Sequence, residues 1–469
     1  MISYNILIRS SLSVLVLTVL LSSCKVGPNY ETPDFDVPSE YLYGTNATDS
    51  LGDIRWWELF NDPVLDTLIV RAIDQNQNLK IAVERVIQAR TALNIQKAEL
   101  LPKLNAQGGA SRGNFQGLIL PEPQSVYSAV GSLSWEIDLW GKLRRLNEAA
   151  LADYLSSEYG LKSVRLSLVS EVANTYLLTK EYKASLEISQ QTLQLRDSSV
   201  RLVQARFDQG YAAEIDLNQA QIQRAIAATA VPAYDRLLKQ SQNALSILIG
   251  EAPQEIVLGT PLDDFTVVPD IPVGLPSELL TRRPDLLESE QFIVAQNALV
   301  GVAIANRFPS LSLTGVLGVA SNDLSTLTSS GAAWNAGASL AGPLFNWGQN
   351  KRRVDIEKSR LEQTYLSYEA QVLNAFREVE DALVGIENYK EEVEARRQHV
   401  DAAVNAQYLS GERYDKGVTS YLEYLESQRQ AFEAQLGYVS AKRSLLSSYV
   451  ALYRAMGGGW ITEEDQSED

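Results

Sequence analysis

The sequence predicts a mainly α-helical protein, built twice over from helical hairpins, with two short strands carried inside each copy. Three observations lead there. Residues recur 207 positions apart over most of the chain. Two very long runs keep helical spacing without a proline. Stretches of apolar–polar alternation interrupt that helical pattern.

The repeat is the firmest of the three. Arg413-Tyr414-Asp415-Lys416-Gly417 matches Arg206-Phe207-Asp208-Gln209-Gly210. The same shift carries Pro102 to Pro309, Trp140-Gly141 to Trp347-Gly348, Glu171-Val172 to Glu378-Val379, Gln221 to Gln428 and Gly250 to Gly457. Two unrelated amphipathic helices do not keep Trp, Pro and Gly in one register without an insertion, so the chain is a duplicated unit.

Composition narrows the function. Lys and Arg number 41 against 58 Asp and Glu, a net charge of −17, which argues against a nucleic-acid partner. One Cys and one His leave no cysteine-rich metal site and almost none of the common catalytic constellations. His399 lies on a charged helical face, and neither a Walker loop nor a dinucleotide-type glycine motif occurs. No enzyme activity, cofactor or metal is expected.

In chain order, residues 1–23 read as a targeting segment. Arg9 is its basic end, and Leu12 to Leu21 is an apolar run too short for a bilayer, which needs about 20 residues. Leu21-Ser22-Ser23-Cys24 resembles a bacterial lipobox, so Cys24 is expected to carry acyl chains; a secretory signal with a coincidental Cys is the alternative. Residues 24–60 follow as an extended segment with Pro28, Pro33 and Pro38. Asp62-Pro63 opens the first helix, with Leu65, Leu68, Ile69 and Ala72 at helical spacing and the Trp56–Phe60 aromatics as a core staple.

Three separated stretches now carry a resemblance. They are Cys24-Lys25-Val26-Gly27-Pro28-Asn29-Tyr30, the Trp56-Trp57 and Asp62-Pro63 stretch, and Gly274 to Leu286 with its Leu279-Leu280-Thr281-Arg282-Arg283-Pro284-Asp285 core. In that order, and with the duplication, the chain resembles the outer-membrane efflux proteins, the TolC-like exit ducts, in the lipoprotein branch serving resistance-nodulation-division pumps. The resemblance runs from Cys24 to about Trp460.

The strands are expected at Lys103–Phe115 and Tyr127–Leu139 in the first copy, and at Phe308–Ala320 and around Trp334–Leu340 in the second. Tyr127, Ala129, Leu133, Trp135 and Ile137 face one way, with Ser128, Ser132, Ser134 and Glu136 the other. Such strands suit a membrane barrel or a soluble hairpin on a helix. Four strands cannot close a barrel, whose smallest known forms have about eight, and open edges cannot sit in lipid. Either the sheet is soluble or several chains close one barrel. The resemblance implies the second: a homotrimer with a shared 12-stranded barrel and a helical tunnel.

The long helices are expected over Lys142–Gln209 and Gln349–Lys416, each reaching about 100 Å. Return helices follow over Glu214–Ile249 and Ser420–Met456, with a kink or break expected at Pro232 alone. The Pro- and Gly-rich stretch 251–276 links the copies, with a short strand expected near Phe265–Val268, and the acidic tail 461–469 is expected to be disordered. The repeats are thus 61–250 and 277–460.

Gly210 and Gly417 fit helix-ending left-handed glycines. Ser420-Tyr421-Leu422-Glu423 fits a capping box, of which the first copy keeps only Asp216. The resemblance implies another role. The two turns, with Arg206, Gly210, Arg413 and Gly417, would form the tunnel tip where a periplasmic adaptor and an inner-membrane pump dock. Asp216, Glu423 and Glu426 would line its constriction, favour cations and, once clustered by trimerisation, have raised pKa values. Thr419 stands where some relatives carry a loop acid. The function implied is a passive outer-membrane channel exporting small molecules. The alternatives are an exit duct for type I protein secretion and a lipid-anchored periplasmic scaffold without a pore.

Overall fold

The computed structural model describes residues 25–33, 35, 37–44, 60, 62–114, 123–265, 276–329 and 331–458. The targeting segment, Cys24, Trp56-Trp57, most of the expected 265–268 strand, Gly274 and the acidic tail lie outside the described residues. Two interleaved compact units emerge. Of the described residues, one unit gathers those within 25–33, 85–158 and 288–369, the other those within 35–84, 159–287 and 370–458.

The helices are α1 (Pro63–Gln75), α2 (Gln77–Ala98), α3 (Lys142–Asp208), α4 (Glu214–Leu248), the short α5 (Leu279–Arg282), α6 (Pro284–Ala305), α7 (Gln349–Asp415) and α8 (Tyr421–Ala455). The strands are β1 (Lys103–Gly113), β2 (Gln124–Ile137), β3 (Ser310–Ser321) and β4 (Ala332–Ala341). Both long helices have 67 residues and both return helices 35. Pro232 does not break α4, which runs through it. A mid-helix proline removes one ladder bond but leaves those on either side intact.

The first unit holds the sheet, an antiparallel meander in the order β1-β2-β3-β4. Its register sorts the side chains as their alternation foretells. Leu104 pairs with Leu133, Leu133 with Gly315 and Gly315 with Ala336. Trp135 pairs with Leu313, and Leu317 with Trp334. One face therefore carries Leu, Trp, Ala and Gly, while Asn105, Ser132, Thr314 and Gly337 share the other. Every residue of β1 is exposed, as is nearly all of β4. Below the strands Ala149 and Ala152 of α3 meet Ala295 and Ala298 of α6, small side chains that let the two helices approach closely.

The second unit holds the main core. Leu65 and Ile69 of α1, Val172 and Tyr176 of α3, Leu245 of α4 and Leu445 of α8 are all within 1 % of full burial. Asp62 caps α1, accepting from the Val64 amide at 2.9 Å, and Phe60 joins the core beside Phe265.

Duplication extends from sequence to contacts. Gly210, Gly250, Gly417 and Gly457 have φ of 74°, 78°, 70° and 80°. Each donates to the carbonyl three residues back, and the next amide reaches five back, as Tyr211 does to Arg206 and Val418 to Arg413, both at 2.8–2.9 Å. That is the Schellman ending, twice in each copy. Asn76 donates from its amide to the Leu248 carbonyl at 2.9 Å, and 207 residues on Arg283 donates to the Ala455 carbonyl at 2.9 Å. Different side chains tie the same helix end in the two copies.

Candidate functional site at the hairpin tips

The tips belong to the second unit. Val203, Leu217, Tyr414, Tyr421 and Leu425 bury one another there, so the two hairpins of a chain meet through an apolar patch. Tyr414 lies 5.4 Å from the Tyr421 ring and 5.9 Å from the Tyr424 ring, centroid to centroid. Burial pushes the Tyr421 phenol above its ordinary value, and the charge of Asp216 adds to that.

Arg206 crosses from the first hairpin to the second. Its guanidinium donates to the Tyr414 carbonyl at 3.1 Å and to the Asp415 carbonyl at 3.2 Å, and it lies 4.2 Å from the Tyr414 ring centroid. A cation at the last carbonyls of α7 opposes the negative end of that helix, adding a second donor to the Tyr414 carbonyl and supplying one to that of Asp415. Arg413, its counterpart, stays within its own hairpin, 3.5 Å from Glu423, and its side chain is 56 % exposed.

Asp216 and Glu423 stand in the first turns of their helices, but the expected capping box does not form. Ser420 is the N-cap of α8 by backbone geometry, but its hydroxyl makes no capping bond. The capping box is therefore incomplete, and Glu423 accepts from the Thr419 hydroxyl instead. Thr419, in the turn, thus holds the first acid of α8. Glu426 is held by Arg429 at 2.7 and 3.0 Å and by Gln430 at 2.9 Å. These donors hold its carboxyl below the ordinary value in the single chain. Asp216 lies half-buried in the first turn of α4, beside the tyrosines.

At the other candidate segment, Cys24 is outside the described residues, but its neighbours are seated. Val26 donates to the Trp140 carbonyl at 3.1 Å. Arg145, 0 % exposed, donates to the carbonyls of Val26 and Gly27 and to Asn29, at 3.2, 3.0 and 3.1 Å. Glu148 neutralises it at 2.9 Å and also takes Lys25 at 2.6 Å. Gly27, at φ 96°, lies against Gly301; a Cβ there would stand 2.5 Å from the Gly301 Cα. The counterpart of Arg145 is Arg352, which is exposed and donates to the Trp347 carbonyl at 3.2 Å. The sequence marks this clamp only through Gly27 and the run before it; Arg145 carries no local signal of its own.

Among the described residues no helix is long and apolar enough to cross a membrane. Comparison with known proteins gives a consistent picture. The family model for outer membrane efflux proteins matches twice, at residues 68–251 and 275–458. The chain is 34% identical to the probable efflux pump outer membrane protein TtgC of Pseudomonas putida, over 98% of this chain and 97% of that one. It is 31% identical to the cation efflux system protein CusC of Escherichia coli, over 94% and 96%. Among solved structures, the outer-membrane channel OprN superposes with a TM-score of 0.87 at 29% identity, over 93% of this chain and all of that one. The open state of the Neisseria gonorrhoeae MtrE outer membrane channel gives 0.85 at 31% identity, over 93% and 98%.

Proposed function

The chain belongs to the outer membrane efflux protein family, and from that premise we propose that three copies form the exit duct of a tripartite pump, anchored by lipid at Cys24. It is the outer-membrane channel of an efflux system, a transport protein. An adaptor and an inner-membrane pump are its partners in that reading, and the hairpin tips are where they would dock. The energy comes from the pump.

The sheet supports the trimer most directly. It has an apolar and a polar face, and β1 and β4 are its open edges. Unpaired backbone groups are not tolerated in hydrocarbon, so a sheet of this kind reaches lipid only when neighbouring copies complete it. Three sheets joined β4 to β1 make a closed barrel with its apolar side outward. The Arg145 clamp supports the anchor, since it fixes the chain two residues beyond Cys24, beside the junction of β2 and α3.

Relatives are named for toluene, antibiotic and cation efflux, and small toxic molecules are the cargo proposed here. Asp216, Glu423 and Glu426 would then set the charge of the narrow end. Heat-resistant trimers in detergent that conduct ions singly in a planar bilayer are the expected result. Purified trimers that never conduct would overturn the channel reading.

A further inference from the structure

At the tip, one of two equivalent sets of residues is joined within the chain. Arg206 meets four features of the second hairpin: the Tyr414 carbonyl, the Asp415 carbonyl, the Tyr414 ring and, at 4.0 Å, the Asp415 carboxylate. Moving every member by 207 positions turns this set into Arg413 on one side, with the Phe207 and Asp208 carbonyls, the Phe207 ring and the Asp208 carboxylate on the other. Each keeps its chemistry: cation, aromatic, acid. Within one chain the second set is unmade. Arg413 is 56 % exposed against 25 % for Arg206, and Phe207 is 37 % exposed against 5 % for Tyr414.

We propose that Arg413 of one copy seats on Phe207 and Asp208 of the next, capping the end of that copy's α3 as Arg206 caps α7 within the chain. The partner is a second copy of this chain, so the inference rests on the trimeric reading above. A head-to-tail contact of this kind, repeated, closes a ring in which in-chain and between-chain joints alternate. Arg413 would exchange its Glu423 contact for two carbonyls, an aromatic face and Asp208, a fuller set for a planar five-donor fork.

The two joints differ in their surroundings. The apolar patch of the in-chain joint, Val203, Leu217, Tyr421 and Leu425, becomes Ser410, Tyr424, Glu214 and Asn218 in the between-chain one. Deeper along the helices Arg196 and Ser199, which bond Gln223 and Gln428, become Ala403 and Ala406. The arginine and its acceptors are what both joints share. With little apolar burial beside it, the between-chain joint depends on charge and is the salt-sensitive one.

The test is cross-linking of the full-length protein in outer membranes with a short bismaleimide. Arg413→Cys combined with Asp208→Cys is expected to give covalent dimers and trimers on a denaturing gel. Arg206→Cys with Asp415→Cys is expected to stay at monomer size, and either single variant gives no ladder beyond any due to Cys24. Arg413→Cys with Gln209→Cys serves as a second pair. Heat-resistant trimers from which both pairs yield only monomers would overturn the inference and leave the channel reading standing. Absence of trimers in the unmodified protein would overturn both.

Discussion

The ammonium of Lys180 lies 2.9 Å from the carboxylate of Asp62, and the two side chains are 3% and 1% exposed. Tyr176 donates to the same carboxylate at 2.7 Å, and its oxygen accepts from the Gly259 amide at 3.0 Å. One buried acid thus joins the start of α1, the middle of α3 and the segment after α4.

Removing the cation strands the acid. Lys180→Met is expected to destabilise the fold by about 3–5 kcal/mol, the usual range for breaking one side of a buried pair. Thermal unfolding of the purified protein reads it. Burial opposes ionisation of Asp62, but Lys180, Tyr176 and the Val64 amide outweigh it and hold the carboxyl below its ordinary value. Its folded pKa lies below its unfolded one, so its stabilisation is complete above the ordinary carboxylate range. It is lost as pH falls through the lowered value. The gap between wild type and Lys180→Met should therefore narrow in acid; a gap independent of pH would refute the assignment.

Four glycines share one backbone conformation but not one environment. Alanine at Gly210 or Gly417 meets nothing within 4 Å, so it should lose only the left-handed preference, about 1–2 kcal/mol. Alanine at Gly250 would stand 2.5 Å from the Gln75 carbonyl oxygen, and at Gly457 2.9 Å from that of Arg282. Those two variants are expected to unfold at distinctly lower denaturant. Equal losses at all four sites would contradict the contact.

Arg145 and Arg352 are counterparts with opposite burdens. Arg145→Met leaves the carbonyls of Val26 and Gly27 and the side chain of Glu148 without their fork, while Arg352→Met exposes little that was not already solvated. The first variant should make residues 25–30 open to limited proteolysis at least tenfold faster, and the second should not. Arg145→Lys restores the charge but not the fork and is expected to fall between them.

Neutralising Glu423 and Glu426 together, as Gln, is expected to lower the preference for cations in bilayer recordings. An unchanged reversal potential in a salt gradient would sink the role proposed for them. Arg429 partly cancels Glu426 in the single chain, so Arg429→Ala should shift selectivity the other way.

On the sheet, Trp334→Arg puts a charge on the apolar face and Asn335→Arg puts one on the polar face. A charge facing lipid costs about 2–4 kcal/mol near the bilayer centre, so only the first should reduce the yield of membrane trimers several-fold.

Much of this was readable in advance. Both long helices end within a residue of where Gly210 and Gly417 predict, since a left-handed residue stops the ladder whatever surrounds it. Period-two alternation assigned Trp135 and Leu133 to one face because register preserves parity. What escaped depends on distant partners. Arg145 reaches residues more than 110 positions away, and no spacing announces that. Asn76 and Arg283 do the same work with different side chains, so a search for identical residues passes over them. Ser420 and Glu423 have the spacing of a capping box, yet Thr419, one residue earlier, takes the acid. Pro232 should stop a helix on propensity alone, and α4 continues through it.

The close passage of Gly27 over Gly301 also sets an order of events in time. The segment at Val26–Asn29 needs Arg145, Gly301 and Asn297, whose amide donates to the Pro28 carbonyl at 3.2 Å. A chain made and exported from its beginning delivers residues 25–30 long before residue 301. Until then the segment has no groove to lie in, and closing so long a loop carries its own entropic cost. A stretch that emerges early is therefore among the last to be fastened. An anchor at Cys24 would meet the membrane while the rest of its seat was still arriving.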